Sequence, residues 1–304
     1  DLITHVDGEP IKGKTLIEAV RRMRGRPGTD IRLTMRRDGR PDFDVVLTRA
    51  VIKIRAVRWH IEGDIGYVRV ARFTEKMESG LAAAIADIHE KLGRRLAGVV
   101  LDLRNNPGGL LDQSLLLADA FLEKGEIVSV RGRNPSRARS HKAEPGDLIE
   151  GVPMVVLVNA GSASASEIVA SALQHHGRAV LMGTRSFGKG SVQTILPMPV
   201  EGGLRLTTAL YYAPSGETIQ ARGVEPDIIL HPAKESEQRR ESDLPGALPA
   251  VGNSGAAMGH PTVPEEACPA VGEPEDRALG CALALLHAGS AKNFLAMMKQ
   301  RPQI

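Results

Sequence analysis

Two rhythms of apolar and polar residues run along the chain. In the first fifty residues the period is short. Leu2-Ile3-Thr4-His5-Val6 alternates into a turn at Asp7-Gly8, and Ile31-Arg32-Leu33-Thr34-Met35-Arg36 and Phe43-Asp44-Val45-Val46-Leu47-Thr48 alternate on either side of Asp38-Gly39. Between them, Leu16 to Met23 carries helical spacing. This pattern predicts a small mixed α/β domain over residues 1–52.

From Ile52 the runs lengthen. Ile52 to Trp59 and Ile65 to Val70 read as strands linking the first domain to a second. Leu81, Ile85, Ile88 and Leu92 lie on one helical face, and Gly98-Val99-Val100-Leu101-Asp102-Leu103 is a continuous apolar strand feeding a turn at Gly108-Gly109. A helix over about Leu111–Leu122 follows, then a strand at Met154–Val158, a small-residue turn, and a helix-like stretch from Ile168 to Gln174. Repeated strand, turn and helix imply a mostly parallel sheet with crossover helices. In such sheets, sites gather at the carboxyl ends of strands. Gly203 to Tyr212 reads as one long strand, and Arg222 to Asp227 as the closing turn of this core, which spans 53–230.

Beyond 230 the character changes again. Charge in Lys234–Asp243, followed by Pro, Gly, Ala and Ser, reads as a linker over 231–265, and Ala282 to Leu286 opens an apolar helical patch in a C-terminal segment, 266–304.

Composition narrows the function classes. A net charge of +3 over 304 residues, with aromatics at 3%, offers little to attract or stack nucleic acid. No run of eighteen apolar residues is present to span a membrane. The histidines are scattered, with neither His-Glu-x-x-His nor paired Cys-x-x-Cys, so no metal is expected. The basic stretch Arg131 to Arg139 has no apolar spacing and reads as a solvated loop. The chain opens at Asp1 with neither methionine nor signal peptide, as a processed product or an excised piece would.

Candidate chemistry sits in three turns. Asn159-Ala160-Gly161-Ser162-Ala163-Ser164-Ala165-Ser166-Glu167 follows a buried strand and opens a helix, an arrangement that presents a side chain and free backbone N–H groups at one point. Lys189 is flanked by Gly188 and Gly190. Asn105-Asn106-Pro107-Gly108-Gly109 is a strong turn signal in its own right.

In this order and register, Asp102-Leu103-Arg104-Asn105-Asn106-Pro107-Gly108-Gly109, Gly161–Glu167 and Phe187-Gly188-Lys189-Gly190 resemble the carboxyl-terminal processing peptidases, S41-family serine proteases with a PDZ domain and a Ser-Lys dyad. The likeness covers most of residues 1–230. It implies that Ser164 is the nucleophile, Lys189 the general base, Gln193 the residue that orients the lysine, and Gly108, Gly109 and Ala165 the oxyanion donors. Ser162 and Ser166 are expected to cap and pack. Arg104 and Glu167 are expected to support the site from behind, the buried carboxylate needing a basic partner. The chain departs from the family pattern at Pro107, where many relatives have a third glycine, and at His175, where an acidic residue is common.

A lysine can act as base only when neutral. Its reference pKa of about 10.4 must fall by roughly three units, at a cost of about 4 kcal/mol, so the dyad calls for a dry pocket around Lys189. A serine–histidine pair is the obvious competitor. On an unbroken helix from Ser164, however, His175 and His176 lie about 16–18 Å along the axis and out of reach.

The resemblance further implies a crotonase- or ClpP-like α/β core. It also implies a partial PDZ domain at the N-terminus, whose helix Leu16–Met23 walls a peptide groove. It points to an exported, periplasmic or envelope-associated endopeptidase acting near the C-termini of protein substrates, with no cofactor and no nucleic acid, and leaves room for an adaptor protein and a homo-oligomer. Two rivals stand beside it: a crotonase-type acyl-CoA enzyme, and a catalytically silent PDZ scaffold. Cys268 and Cys281 read equally as free buried thiols or, in an oxidising compartment, as a disulfide worth about 3 kcal/mol.

Overall fold

The computed structural model describes residues 1–51, 55–199, 202–232, 239–251 and 259–300. The chain divides into two compact units, 1–54 and 55–304.

The first unit holds β1 (Leu2–Val6), β2 (Glu9–Pro10), α1 (Leu16–Met23), β3 (Asp30–Arg36) and β4 (Phe43–Thr48), in an antiparallel sheet ordered β2-β1-β3-β4. Helix α1 starts at a capping box: Thr15 Oγ1 accepts the Glu18 N–H at 3.3 Å, and Glu18 Oε2 accepts the Thr15 N–H at 2.8 Å. The core is small. Val6, Ile31 and Leu33 are buried, with Ile3, Ile11, Met23 and Met35 packed around them.

The second unit is built on a seven-stranded sheet of β5 (Val57–Glu62), β6 (Ile65–Val70), β7 (Gly98–Asp102), β10 (Met154–Val158), β11 (Val180–Gly183), β14 (Ile228–His231) and β15 (Thr262–Pro264). Its order is β15-β14-β11-β10-β7-β6-β5, parallel throughout except at the β5–β6 edge. The segment expected to link the domains is therefore part of the sheet from Val57 onward, because Val57, Ile65, Val68 and Val70 supply apolar surface that only a core can bury. Residues 52–54 of that expectation lie outside the described residues.

Strands β7 and β10 are buried end to end, so their successive side chains must be covered on both sides. On one side Val99, Leu101, Val156 and Val158 meet α2 (Met77–Leu92), α3 (Leu111–Asp119) and α4 (Ala165–His175). On the other, Val100, Val155, Leu157 and Met182 meet α5 (Arg277–Ala288) and α6 (Ala291–Gln300). In the C-terminal segment, α5 and α6 are the second cover of the sheet. Of the stretch read as a linker, β15 pairs in parallel with β14, while 233–238 and 252–258 lie outside the described residues. Helix α3 stops short of Leu122 because Phe121 and Leu122 tighten into three-residue turns, 3.2 and 3.1 Å, that carry both side chains into the core.

A second, antiparallel sheet ordered β12-β13-β8-β9 is formed by β8 (Gly125–Gly132), β9 (Arg139–Ala143), β12 (Ser191–Pro197) and β13 (Gly203–Tyr212). Past Val192, β12 is exposed, including Ile195 and Leu196. Of the basic loop expected at Arg131–Arg139, residues 133–138 form the turn between β8 and β9, while Arg131 and Gly132 end β8 and Arg139 opens β9; the stretch is exposed at nearly every position.

Candidate active site

Strands β7 and β10 are hydrogen-bonded neighbours, and the turns leaving their carboxyl ends meet. Of the three serines after β10, two are internal ties. Ser162 is buried, accepts the Asn159 N–H at 3.0 Å and donates to the Leu103 carbonyl at 2.8 Å. Ser166 is buried and donates to the Asn106 carbonyl at 2.9 Å. Ser164, at the start of α4, is half-buried and sits at φ 55°, ψ −111°, a conformation that costs a residue with a side chain of order 1–3 kcal/mol.

The turn after β7 is held by one fully buried side chain that the sequence reading gave no role. Asn106 donates Nδ2 to the Val70 carbonyl at 2.8 Å, accepts the Gly108 N–H on Oδ1 at 2.9 Å, and accepts the Ala163 N–H on its own carbonyl at 3.0 Å. Gly108, at φ +99°, lies so close to the serine turn that a Cβ there would stand 2.8 Å from the Ala163 oxygen, 2.9 Å from the Ser164 Cβ and 3.1 Å from the Ala165 nitrogen. Gly109 is pressed against Phe73, whose carbonyl oxygen would be 2.0 Å from a Cβ. Gly108, Ser164 and Ala165 are thus brought together. The Ala165 N–H belongs to the first turn of α4, where a helix leaves its N–H groups without intrahelical acceptors.

The lysine turn docks onto this pair. The Phe187 N–H donates to the Ser162 carbonyl at 3.0 Å. Gly188 and Gly190 are glycines because the 219–223 backbone passes directly against them, within 3.1 Å of a Cβ on Gly188 and 2.3 Å of one on Gly190. Lys189 is half-buried, not enclosed in a dry pocket: both neighbours lack side chains to cover it, and β12 runs from it into solvent. Gln193 is exposed on β12 opposite Thr207, just past a bulge, and makes no hydrogen bond to Lys189 among the described residues.

Glu167 joins the turns. Its fully buried carboxylate has no basic partner among the described residues. Four donors satisfy it instead: Oε1 accepts from Ser186 Oγ at 2.5 Å and the Gly188 N–H at 2.6 Å, and Oε2 from the Ser164 N–H at 2.7 Å and the Lys189 N–H at 2.9 Å. Burial pushes its pKa up to about 7, against the pull of these hydrogen bonds. Ser186, which opens the lysine stretch and has no role in the sequence analysis, also accepts the Val224 N–H at 2.7 Å.

Behind the turn after β7 lies the other buried carboxylate, Asp102. It accepts from Tyr67 Oη at 2.6 Å, Arg69 Nη1 at 3.2 Å and Arg104 Nη2 at 2.7 Å. Burial and the neighbouring Asp102 charge push the Tyr67 phenol up to about 12. His175 and His176 end α4, where His176 Nε2 pairs with the Glu126 carbonyl at 2.8 Å, far from Ser164. Among the described residues no group of three or more His, Cys, Asp and Glu converges as a metal site would.

Residues 64–230 match the profile of Peptidase family S41. The chain is 56% identical over 233 residues to the carboxy-terminal-processing protease of Bartonella bacilliformis, covering 76% of this chain and 54% of that one. It is 34% identical over 235 residues to the probable CtpA-like serine protease of Staphylococcus aureus, covering 77% of this chain and 47% of the relative. The chain therefore spans about half the length of these relatives. Among solved structures, the photosystem II D1 C-terminal processing protease superposes with a TM-score of 0.56 at 30% identity, over 75% of this chain and 62% of that one.

Proposed function

The chain belongs to peptidase family S41, and from that premise we propose that it is a serine endopeptidase that cleaves protein substrates near their C-termini through an acyl-enzyme on Ser164. One observation carries the reading. Ser164 is the only serine of its motif left half-buried at a strained turn, with Gly108 packed against it and the Lys189 turn tied to it through Glu167.

In this mechanism the neutral Lys189 amine takes the proton of Ser164 Oγ as the oxygen attacks the scissile carbonyl. The tetrahedral oxyanion is met by the Ala165 N–H and by the Gly108–Gly109 turn. The Gly108 N–H, donated to Asn106 Oδ1 at rest, exchanges that acceptor for the oxyanion. Lys189 then protonates the leaving amine, and water activated by the same base releases the acyl group. Because Lys189 is half-buried and Gln193 stands apart from it, the resting dyad completes its dry environment when a polypeptide covers it, a population shift driven by substrate.

The first unit, with its β-sheet and amphipathic α1, is the partial PDZ-like module in this reading, and receives the substrate's C-terminus as an added strand. The disulfide between Cys268 and Cys281 supports an exported, periplasmic or envelope location. An adaptor protein and self-association are compatible with this role.

The test is hydrolysis of an unfolded polypeptide by the parent, Ser164→Ala and Lys189→Ala. Loss of cleavage in both variants supports the dyad. Cleavage at the parent rate in either overturns it, and binding without cleavage by the parent would favour the silent scaffold.

A further inference from the structure

The segment matched to the family ends at 230, yet a residue well beyond it pairs with Arg104, just ahead of the turn that carries Gly108. We propose that Asp276, at the start of α5, is a positioning residue for that turn and acts through Arg104. The inference rests on the dyad reading for what the turn does, and adds a part of the chain that reading does not use.

Arg104 is forked between two carboxylates. Its Nε and Nη2 donate to Asp102 at 3.0 and 2.7 Å, and its Nη1 and Nη2 donate to Asp276 at 2.9 and 2.6 Å. Its backbone is held as well: the N–H donates to Asp102 Oδ1 at 2.8 Å, and the carbonyl accepts from Arg69 Nη2 at 3.2 Å. Arg104 thus anchors the chain on the strand side of the bend at Asn105, φ 57°, which Asn159 ties from the other turn, and beyond which lie Asn106 and Gly108. Bidentate carboxylate pairs fix a guanidinium in direction as well as place.

Asp102 cannot do this alone. Its side chain is 0% exposed, and the two guanidiniums of Arg69 and Arg104 share it. Arg69 is partly solvated, with a side chain 32% exposed, whereas Arg104, at 15%, is the more deeply buried cation and calls for an anion beyond the shared Asp102. Asp276 is the anion hydrogen-bonded to it, with Glu265 near enough to interact electrostatically with both.

Asp276 is itself rigidly mounted. Its Oδ1 caps α5 by accepting the Leu279 N–H at 2.9 Å, and its N–H donates to the Val271 carbonyl at 2.8 Å. The loop before it is closed by the Cys268–Cys281 disulfide and lies directly on α5, where a Cβ on Gly280 would fall 1.8 Å from the Pro269 oxygen. Arg277 Nη1 reaches back to the Cys268 carbonyl at 3.0 Å. A carboxylate on so constrained a loop can set the position of its partner rather than follow it.

The test measures kcat and KM on an unstructured fluorogenic polypeptide, with thermal unfolding, for the 304-residue chain and its Asp276→Asn, Asp276→Ser, Asp276→Glu and Ser164→Ala variants. Asn and Ser are good helix caps, so these two variants keep the start of α5 and remove only the charged fork. The expected result is a fall in kcat of ten-fold or more for Asp276→Asn and Asp276→Ser. KM should stay within two-fold and unfolding close to the parent's, with at least half of the lost activity restored by Asp276→Glu. A kcat within two-fold of the parent, a loss residing in KM, no recovery with Glu, or failure of both cap-retaining variants to fold would each overturn the positioning role. Ser164→Ala separates the failures: if it hydrolyses as fast as the parent, the dyad reading falls and the clamp's purpose with it. If it is inactive while Asp276→Asn matches the parent, only the clamp falls.

Discussion

Ser164 and Lys189 donate their backbone N–H groups to the same oxygen, Oε2 of Glu167, at 2.7 and 2.9 Å. The distance between the Ser164 turn and the Lys189 turn is therefore fixed by one carboxylate whose other oxygen is also engaged, by Ser186 and Gly188.

An amide at this position has one accepting end and one donating end. Glu167→Gln sets an NH2 group against backbone donors, so one turn or the other must move. We expect the rate to fall by about a hundred-fold, in the range a single misplaced contact can cost, with labelling of Ser164 by a fluorophosphonate slowed in proportion. Labelling at the parent rate would show that the tie is dispensable.

Acid should remove the same tie. With the Glu167 pKa raised to about 7 from an ordinary 4.5, the folded protein binds a proton that the unfolded chain has released. The stabilising contribution of this group is therefore full below about 4.5 and is lost as pH rises through about 7. Activity runs the other way, because only the ionised form accepts from four donors. Turnover should show an acid limb near pH 7, and Glu167→Gln should unfold no earlier than the parent at pH 8. Denaturant midpoints and rates across pH 5 to 8 check both, and a parent that gains stability over the variant as pH rises would contradict the assignment.

The strain at Ser164 predicts a division of labour among the three serines. Ser164→Gly relieves the positive φ and should raise stability by about 1 kcal/mol while abolishing turnover. Ser162→Ala and Ser166→Ala should each cost about 1–2 kcal/mol through lost buried hydrogen bonds, yet keep a nucleophile that can be labelled. Equilibrium unfolding beside active-site titration reads both effects.

Gly108→Ala would drive a methyl group into the Ser164 Cβ and the Ala163 oxygen at a φ that favours glycine. A loss of at least a hundred-fold in kcat is expected, in the range of removing an oxyanion donor, and retention of the parent rate would remove this turn from the reaction.

Reducing the Cys268–Cys281 bond opens a loop of 13-residue separation. Stability should drop by about 3 kcal/mol, read from urea unfolding with and without reductant. The unreduced, unfolded chain should give no reactive thiol.

The parallel core was legible because β7 and β10 are unbroken apolar runs followed by small-residue turns, a pattern that leaves few alternatives. Strands β12 and β13 place Gln193 in solvent for a reason no local pattern contains: nothing among the described residues packs on that part of the hairpin. Glu167 was visible as a buried carboxylate, but the general need of such a group for a cation cannot foresee three backbone N–H groups, from residues 164, 188 and 189, and the Ser186 hydroxyl gathered around it. Asn106 went unassigned because Asn-Pro-Gly-Gly already explains itself as a turn. Asp276 lies 172 residues from its partner Arg104, beyond the reach of any spacing argument.

Helices α5 and α6 lie over Val100, Val155, Leu157 and Met182. A polypeptide ending where the family match ends would be an open slab, greasy on its bare side, and would be expected to clump or recruit a foreign cover. Studied as a fragment, the peptidase region would misreport its own solubility, because the short C-terminal segment that looks accessory is its roof.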